Sequence, residues 1–240
     1  MKNNNFLYTQ SAKIFQENVA YSDIIFPAHV DICITKIPIR QIDGYSEEFI
    51  MAFADKLSAC ISPNGMVFLI CYAPTECKYR PFEVSKIMTD KGFHHVDNII
   101  VEKTWVSGRK IDNMLLNSHE YALVFSKSKD WVMDKRALEL FFGIEGSDFL
   151  GNCWVFESGL LSQSIPIPLA EALMRMVQCL PGALVMDPFM SNESTLKVAL
   201  KLGYSFWGCE KDKNRMKDYE NIISKHKEEI GLYEFIKEAE

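Results

Sequence analysis

The stretch Leu-Val-Met-Asp-Pro-Phe-Met-Ser-Asn-Glu-Ser-Thr-Leu at residues 184–196 decides the fold. Residues 184–186 are a short apolar run typical of a buried parallel strand, and a helix is predicted over residues 193–202. Residues 204–209 are then a second buried strand that closes on Glu210. Strand, turn, helix, strand and acid form the layout of a mononucleotide-binding unit, in which the acid holds ribose hydroxyls. A βαβ unit that binds nothing has the same layout, so the layout alone leaves both interpretations open.

The remaining chain alternates apolar runs with amphipathic segments, which predicts a doubly wound, mostly parallel α/β sheet. The predicted strands are residues 30–35, 66–71, 98–103 and 121–126, and the predicted helices are residues 46–57, 82–91 and 168–179. Residues 3–8 lead into a short strand, residues 10–19 are predicted as a helix or long turn, and residues 62–65 as a turn. We expect one domain over residues 1–240, with room for a small insert around residues 127–157, the least periodic segment.

Composition is that of a soluble globular protein, with 48% hydrophobic and 24% charged residues among 240. The net charge of −6 has the wrong sign for gripping nucleic acid by bulk electrostatics, although it does not exclude a local basic face. Seven cysteines without a Cys-x-x-Cys pair predict reduced, buried thiols and neither a metal site nor a disulfide framework. With no membrane span in the sequence, we expect an intracellular protein, cytoplasmic if bacterial or phage and nuclear if eukaryotic.

Four features of the C-terminal half carry a resemblance. They are Asp187-Pro188-Phe189, Thr195 after a small-residue turn, Trp207-Gly208-Cys209-Glu210, and Tyr219. This pattern resembles the S-adenosylmethionine-binding motif of the DNA amino-methyltransferases, which reads Asp-Pro-Phe-x-Gly-Ser-Gly-Thr-Thr, then Gly-x-Glu and a Tyr. Those enzymes methylate the exocyclic amine of adenine (N6) or cytosine (N4).

The order of further motifs matches the permuted, beta-type group of that family, in which the catalytic strand comes first. Residues 30–39 resemble the family's Val-Asp-Leu-Ile-Ile-Thr-Asp-Pro-Pro-Tyr run, and residues 119–127 resemble its His-Glu-x-Ile-Leu-x-Phe-x-Lys strand. Residues 152–154 stand where the family has Asn-Val-Trp, and residues 165–169 precede a helix as its Pro-containing pair does. The resemblance spans nearly the whole chain and implies a Rossmann-like, S-adenosylmethionine-dependent methyltransferase fold.

The catalytic motif that the resemblance implies is degenerate. In the family, the Asp of Asp-Pro-Pro-Tyr accepts hydrogen bonds from the target amine, and the Tyr stacks on the flipped base. Here Lys36 replaces the Asp, Ile37 replaces the first Pro, Pro38 is retained and Ile39 replaces the Tyr. An ammonium offers three donors and no acceptor, so it opposes the amine and its developing charge. A neutral Lys36 with a lowered pKa is an open alternative, as is a strand end that merely packs.

The cofactor motif departs from the family in parallel. Where the family has glycines that let the backbone approach the methionine part, this chain has Ser191 and Glu193, and the Glu193 carboxylate is expected to crowd and repel the cofactor's own carboxylate. Thr9-Gln10-Ser11 stands where the family has an adenine-contacting Gly-Asp pair. The residual cofactor-binding residues are Asp187, Pro188, Phe189 and Glu210.

Departures at three separate parts of one pocket favour a protein released from catalysis. The leading hypothesis is a catalytically inactive methyltransferase-fold protein that binds no cofactor and acts as a structural or nucleic-acid-binding partner in a heterodimer with an active paralogue. The alternative is an active S-adenosylmethionine-dependent amino-methyltransferase of DNA or RNA with atypical motifs. A third hypothesis is a small-molecule or nucleotide sensor without transfer.

Two segments are candidate contacts for a partner or a nucleic acid. The first is the loop that carries Lys103, Trp105, Arg109 and Lys110, whose charges are equally read as solvated side chains. The second is the aromatic-rich segment formed by Trp131, Phe141, Phe142 and Phe149, which also fits a place in the core.

Overall fold

The computed structural model describes residues 12–15, 25–38, 46–73, 79–102, 118–144, 150–156 and 164–230. Eight strands in this part of the chain form one sheet. The strands are β1 Ala12–Phe15, β2 Val30–Lys36, β3 Ile61–Cys71, β4 His94–Glu102, β5 His119–Ser126, β6 Cys153–Val155, β7 Leu184–Asp187 and β8 Ser205–Cys209. The helices are α1 Glu47–Cys60, α2 Arg80–Asp90, α3 Lys135–Phe142, α4 Ile167–Arg175, α5 Ser194–Lys201 and α6 Lys213–Ile230.

The strands lie in the order β1-β8-β7-β2-β3-β5-β4-β6. Strand β5 pairs antiparallel with both β3 and β4, and the other pairings are parallel. Within the described strands, β5 therefore runs against the other seven, which confirms the mostly parallel α/β sheet. The chain proceeds from β2 outward to β3 and from β7 outward to β8, so the order reverses between β2 and β7. Ligands of open α/β sheets bind at the carboxyl ends of the strands beside such a reversal.

Helices cover both faces of the sheet. On one face a main core packs apolar side chains of α3, α4, α5 and α6 against the strands. On the other face a second core packs α1 and α2 against them. Strands buried on both faces carry near-continuous apolar runs, which explains why residues 32–34 of β2 and 66–71 of β3 are hydrophobic. No helix in the described part of the chain is long and apolar enough to cross a bilayer.

Local sequence signals place the helices beside the site. The Ser46 hydroxyl caps α1 by accepting from the backbone N–H of Phe49 at 3.1 Å, and Glu47 and Glu48 occupy its first turn, as the sequence predicts. Helix α4 begins with a proline in its first turn, where the missing N–H costs nothing. It ends at Arg175, four residues before the predicted end, and Val177 then forms a bridge with Met133.

The N-terminal prediction is wrong where the structure describes it. Residues 12–15 form β1, an edge strand that pairs parallel with β8, whereas a helix or long turn was expected over residues 10–19. The reason is tertiary: Ala12 is buried in the main core, and β8 offers an open edge to pair with. Residues 3–8 lie outside the described part of the chain.

The predicted turn at residues 62–65 is a bulge inside β3. Val30 pairs with Ile61 and Ile32 pairs with Met66, so the segment between them on β3 leaves the ladder. Gly65 lies at its end, where an added Cβ would be 2.8 Å from the Val30 carbonyl oxygen. Glycine is therefore needed here for space, since its φ lies outside the left-handed region.

We expect Gly65→Ala to destabilise the protein by about 1–3 kcal/mol, because the new methyl group would overlap backbone of β2. Gly151→Ala is the matched control, because an added Cβ there meets nothing within 4 Å. Urea denaturation of both variants measures the difference. Equal stability of the two variants would contradict the steric account of the bulge.

Candidate cofactor and catalytic site

The predicted catalytic and cofactor motifs meet at the reversal of strand order. Strand β2 pairs with β7 through Ile32 with Val185 and Cys33 with Met186. The carboxyl ends of both strands therefore lie side by side, with Lys36 ending one and Asp187 ending the other. The structure thus brings together two motifs that are about 150 residues apart in the chain.

Lys36 is held in a buried ion pair. Its ammonium donates to both carboxylate oxygens of Glu120, at 2.8 Å and 2.7 Å, and the two side chains are 5% and 9% exposed. Glu120 lies on β5, one strand beyond β3, and faces the same side of the sheet as Lys36 because Lys36 pairs with Ile70 and Ile70 pairs with Ala122. The group at the position of the family's acceptor is therefore a cation whose charge is already compensated by its own acid.

The residues after Lys36 continue the strand end. Ile37 is fully buried in the second core, and its backbone N–H donates to the Ile70 carbonyl at 3.2 Å. Pro38 is half-buried. Up to this point the segment packs as a strand end, which was one of the open alternatives, and Ile39 lies outside the described residues.

Asp187 joins three elements through its carboxylate. One oxygen accepts from the Thr35 hydroxyl of β2 at 2.7 Å, and the other accepts from the Thr195 hydroxyl of α5 at 2.8 Å. The backbone N–H of Phe189 adds a longer contact at 3.3 Å. Burial raises the pKa of Asp187 to about 6, although these hydrogen bonds act in the opposite direction. The residue thus builds the turn and has its acceptor sites occupied by protein donors.

Phe189 belongs to an aromatic group on the second-core side. Its ring centroid lies 5.8 Å from that of Phe49 and 5.1 Å from that of Phe53. Phe49 and Phe53 both belong to α1. This helix, which follows β2 in the chain, therefore packs against the turn of the cofactor motif. The aromatic residue of the Asp-Pro-Phe motif is accordingly a packing residue in this chain.

The turn at residues 190–193 accepts its non-glycine residues without backbone strain. Among the described residues His29 alone is a non-glycine with positive φ, so Ser191 and Glu193 have ordinary conformations. The Glu193 carboxylate is about 42% exposed and pairs with Lys197 at 3.0 Å, one turn along α5. Its own backbone N–H and the Lys197 ammonium lower the pKa of Glu193. The expectation that Glu193 crowds the cleft is therefore not what the structure shows.

Asn192 attaches the same turn to the segment that precedes α4. Its amide donates to the Ile165 carbonyl at 3.2 Å and to the Ser194 hydroxyl at 2.8 Å. The contact with Ile165 ties the turn to the segment that leads into α4. Side chains thus hold this turn, at which the family has glycines and a bare backbone.

Glu210 is buried, and several protein donors surround it. One oxygen accepts from the backbone N–H of Asp212 at 3.0 Å, and the other accepts from the Tyr219 hydroxyl at 2.9 Å and lies 3.4 Å from the Arg215 guanidinium. Burial and the Glu210 carboxylate raise the pKa of Tyr219, which keeps the phenol a donor. Arg215 also donates to the Ser191 carbonyl, so it connects the turn with the acid.

Gly208 is required by packing within the protein. An added Cβ would lie 2.3 Å from the Met190 sulfur and 2.7 Å from the Phe206 ring. Met190, in turn, is buried in the main core and donates its N–H to the Cys209 carbonyl at 3.0 Å. The glycine of the family's Gly-x-Glu therefore lies against a methionine side chain in this chain.

S-adenosylmethionine does not fit these side chains as they stand. A ribose on Glu210 would have to displace Arg215, and the same guanidinium occupies the Ser191 carbonyl of the turn. The fold supplies the crevice that the resemblance implies, but two of its ligand-facing groups are bonded to each other through Arg215.

Some predicted residues cannot be placed. Thr9-Gln10-Ser11 and the loop with Lys103, Trp105, Arg109 and Lys110 lie outside the described residues, as does Phe149. Trp131, Phe141 and Phe142 are partly buried and pack against the main core, in line with the core interpretation of that segment.

Glu120 and Arg215 were missed as site residues by sequence reasoning. Glu120 sits within the quoted His-Glu strand motif, but its pairing with Lys36 across 84 positions leaves no local signal. Arg215 lies five residues after Glu210 on an amphipathic helix, where a basic side chain resembles an ordinary solvated one.

Comparisons with known proteins agree with the fold. The family model described as DNA methylase, of N6 and N4 methyltransferases, matches residues 40–221. The structure of M1.HpyAVI has a TM-score of 0.67 at 20% identity, with 88% of this chain and 98% of that chain covered. The cytosine-N4-specific PvuII DNA methyltransferase has a TM-score of 0.69 at 14% identity, with 95% of each chain covered.

A third similar structure is TTHA0409, a putative DNA modification methylase from Thermus thermophilus complexed with S-adenosyl-L-methionine. Its TM-score is 0.61 at 20% identity, with 97% of this chain and 99% of that chain covered. A sequence search of curated proteins found no match. The family-model match begins directly after the segment that departs from the family's catalytic motif.

Asp187 predicts a pH dependence of stability. Its folded-state pKa of about 6 lies above its ordinary 3.8, so between these values the folded state binds the proton more tightly than the unfolded chain. This carboxyl therefore favours folding at low pH, and that contribution is lost as pH rises from about 4 to about 6. Relative to Asp187→Asn, we expect the wild type to lose about 2 kcal/mol between pH 4 and pH 7.

The comparison with the variant is needed because other acids act in the opposite direction. Burial alone would raise the pKa of Glu171, but hydrogen bonds from Lys201 and Arg175 lower it, so its contribution is lost as pH falls. Denaturant titrations of both proteins at several pH values give the difference. A difference that is flat, or that rises with pH, would contradict the assigned environment of Asp187.

The buried ion pair predicts unequal costs for its two kinds of replacement. Lys36→Met should destabilise by about 3–5 kcal/mol, because it leaves the Glu120 carboxylate buried without its cation. Lys36→Met combined with Glu120→Gln should recover much of that loss, since the charge is removed with its partner. The measurement is a double-mutant cycle by urea denaturation.

Lys197→Met is the matched control for this cycle. Its pair with Glu193 has a similar distance, 3.0 Å, but both side chains are more than 40% exposed, so a cost below about 1 kcal/mol is expected. If Lys36→Met costs no more than Lys197→Met, the ion pair is not the buried element described above.

Proposed function

We propose a function from one premise: the chain belongs to the DNA methylase family of N6 and N4 methyltransferases. Within that family it is a catalytically silent member. It acts as a structural or nucleic-acid-binding partner of an active methyltransferase subunit, in a heterodimer inside the cell. It uses no S-adenosylmethionine of its own.

The buried pair of Lys36 and Glu120 carries this proposal. Methylation of an exocyclic amine requires an acceptor that draws electron density toward the nitrogen as its positive charge develops. A lysine ammonium at that position has donors only and would repel the developing charge. The nearby Glu120 carboxylate does not replace the acceptor, since both of its oxygens accept from Lys36.

The magnitude of the effect favours silence over a weakened enzyme. Removing one charge-stabilising group commonly costs about a hundredfold or more in rate. Here the acceptor is replaced by a group of opposite charge, and Ile39 offers no aromatic face for a flipped base.

A partner role follows from what the chain keeps. The interactions that define the methyltransferase fold persist, with Asp187 still bonded to Thr35 and Thr195 at the crevice. A fold kept without its chemistry is expected in a subunit that is selected for its surface. The net charge of −6 argues that nucleic acid is reached through the complex and not by this chain alone.

The alternative function is an active amino-methyltransferase of DNA or RNA with atypical motifs. It is supported by the family membership and by retention of Asp187 and Glu210. Such an enzyme would need Lys36 to leave Glu120 in the reactive complex. The cost of separating a buried ion pair makes this the second choice.

Methyl-transfer assays with radiolabelled S-adenosylmethionine test the proposal. We expect no transfer by the purified chain to DNA or RNA. We also expect none from Lys36→Asp combined with Ile39→Tyr, because Arg215 still joins the Ser191 carbonyl to Glu210, where the cofactor would have to lie. Transfer by the wild type would overturn the proposal, and loss of that transfer in Lys36→Met but not in Lys197→Met would assign it to this site.

Native co-purification followed by mass spectrometry tests the partner role. The expected partner is a paralogue with an intact Asp-Pro-Pro-Tyr motif and a glycine-rich turn. The methyltransferase activity of the purified paralogue should rise when this chain is added. If the paralogue is equally active alone, the proposed role as a structural or nucleic-acid-binding partner is wrong even if the two proteins associate.

A further inference from the structure

Arg215 connects the two groups between which a mononucleotide unit holds its ligand. In such units the ligand lies between the turn after the first strand and the acid after the second. The Arg215 guanidinium donates to the Ser191 carbonyl of that turn and lies 3.4 Å from the Glu210 carboxylate at the end of β8. We call these two contacts the Arg215 bridge.

The bridge is built from unlike parts. Glu210 is 3% exposed, and its carboxylate accepts hydrogen bonds from the Tyr219 hydroxyl and the Asp212 N–H. The Arg215 side chain is about 46% exposed and reaches the site from the first turns of α6. A half-exposed side chain can move into solvent, whereas the buried acid is held by its other hydrogen bonds.

We infer that the Arg215 bridge closes the part of the crevice between the turn and Glu210, so that a movable side chain hinders the binding of ligands that place a ribose there. The guanidinium occupies the acceptors that a ribose and the neighbouring part of such a ligand would use. This inference rests on the proposed function only in taking the crevice as the family's ligand site. It concerns ligand access and is independent of the Lys36–Glu120 pair that governs chemistry.

The turn itself supports the inference. Ser191 and Glu193 have unstrained backbone. The Glu193 carboxylate is paired with Lys197 and does not block the crevice. Asn192 is bonded to Ile165 and Ser194. Of the described side chains that bond to the turn, Arg215 is the one that also reaches the acid at the far side of the crevice.

Calorimetric titration with S-adenosylhomocysteine and with adenosine tests the inference. A ligand that binds only the open arrangement has its affinity reduced by the fraction of molecules that are open. We therefore expect Arg215→Ala to bind both probes about tenfold more tightly than the wild type, or better. Lys217→Ala, which removes an equal charge from an exposed position on the same helix, should behave as the wild type does.

A second substitution shows whether the gain comes from this site. Adding Glu210→Gln to Arg215→Ala should abolish most of the gained affinity, because the amide replaces an acceptor oxygen that the ribose would use. Arg215→Gln keeps most of the side-chain stem and serves as the open variant if Arg215→Ala fails to fold, which thermal unfolding reveals.

The results separate the two proposals. Equal affinity of Arg215→Ala and Lys217→Ala, or equally absent binding in both, overturns the bridge and leaves the silent-subunit function standing. A gain that Glu210→Gln does not remove overturns it as well. Methyl transfer by the wild type would overturn the silent-subunit function, while the role of Arg215 is still decided by the binding data.

Discussion

The Asp187 carboxylate holds the structure together at the point where the strand order reverses. It bonds to a threonine at the end of β2 and to another in the first turn of α5, so two strands and a helix share one buried anion. Charged groups are tolerated in such surroundings only when hydrogen bonds surround them, as they do here. The other described features of the crevice lie around this carboxylate. They are the aromatic contact of Phe189 with α1, the turn that follows Phe189, and the end of β2.

Two further buried acids lie around the same crevice and are satisfied by the chain's own cations and donors. Glu120 is neutralised by Lys36, and Glu210 is bonded by Tyr219, Arg215 and a backbone N–H. A ligand crevice normally keeps some polar groups for its ligand, because groups bonded within the protein must be released before anything can bind. Here both acids are bonded within the protein, and of the cations that bond them Arg215 is the one that is about half exposed.

Much of this fold is predictable from local patterns. Ser46 with Glu47 and Glu48 marks the start of α1, and the apolar runs of β2 and β3 identify buried strands. The edge strand β1 was missed because four residues with a central lysine carry too little periodicity to be distinguished from a helix or turn. The first residues of β4 were missed for a similar reason, since His94, His95 and Asp97 are polar and partly exposed.

The site was predictable in location but not in its bonding. The motifs predict where the crevice lies, because each of them ends a strand and the carboxyl ends of the parallel strands β2 and β7 meet at one edge of the sheet. The Glu193 side chain can extend along its own helix or into the crevice, and its ion pair with Lys197 holds it along the helix. The partner of Lys36 depends on the strand order β3-β5, which sets a residue from a distant segment opposite it and has no trace in the neighbouring sequence.

The Lys36–Glu120 pair also couples two positions that are 84 residues apart in the chain. Losing either charge alone leaves the other buried without its counterion, whereas losing both leaves neither. We therefore expect related sequences that keep this arrangement to carry the two residues together, and sequences that lose it to change at both positions.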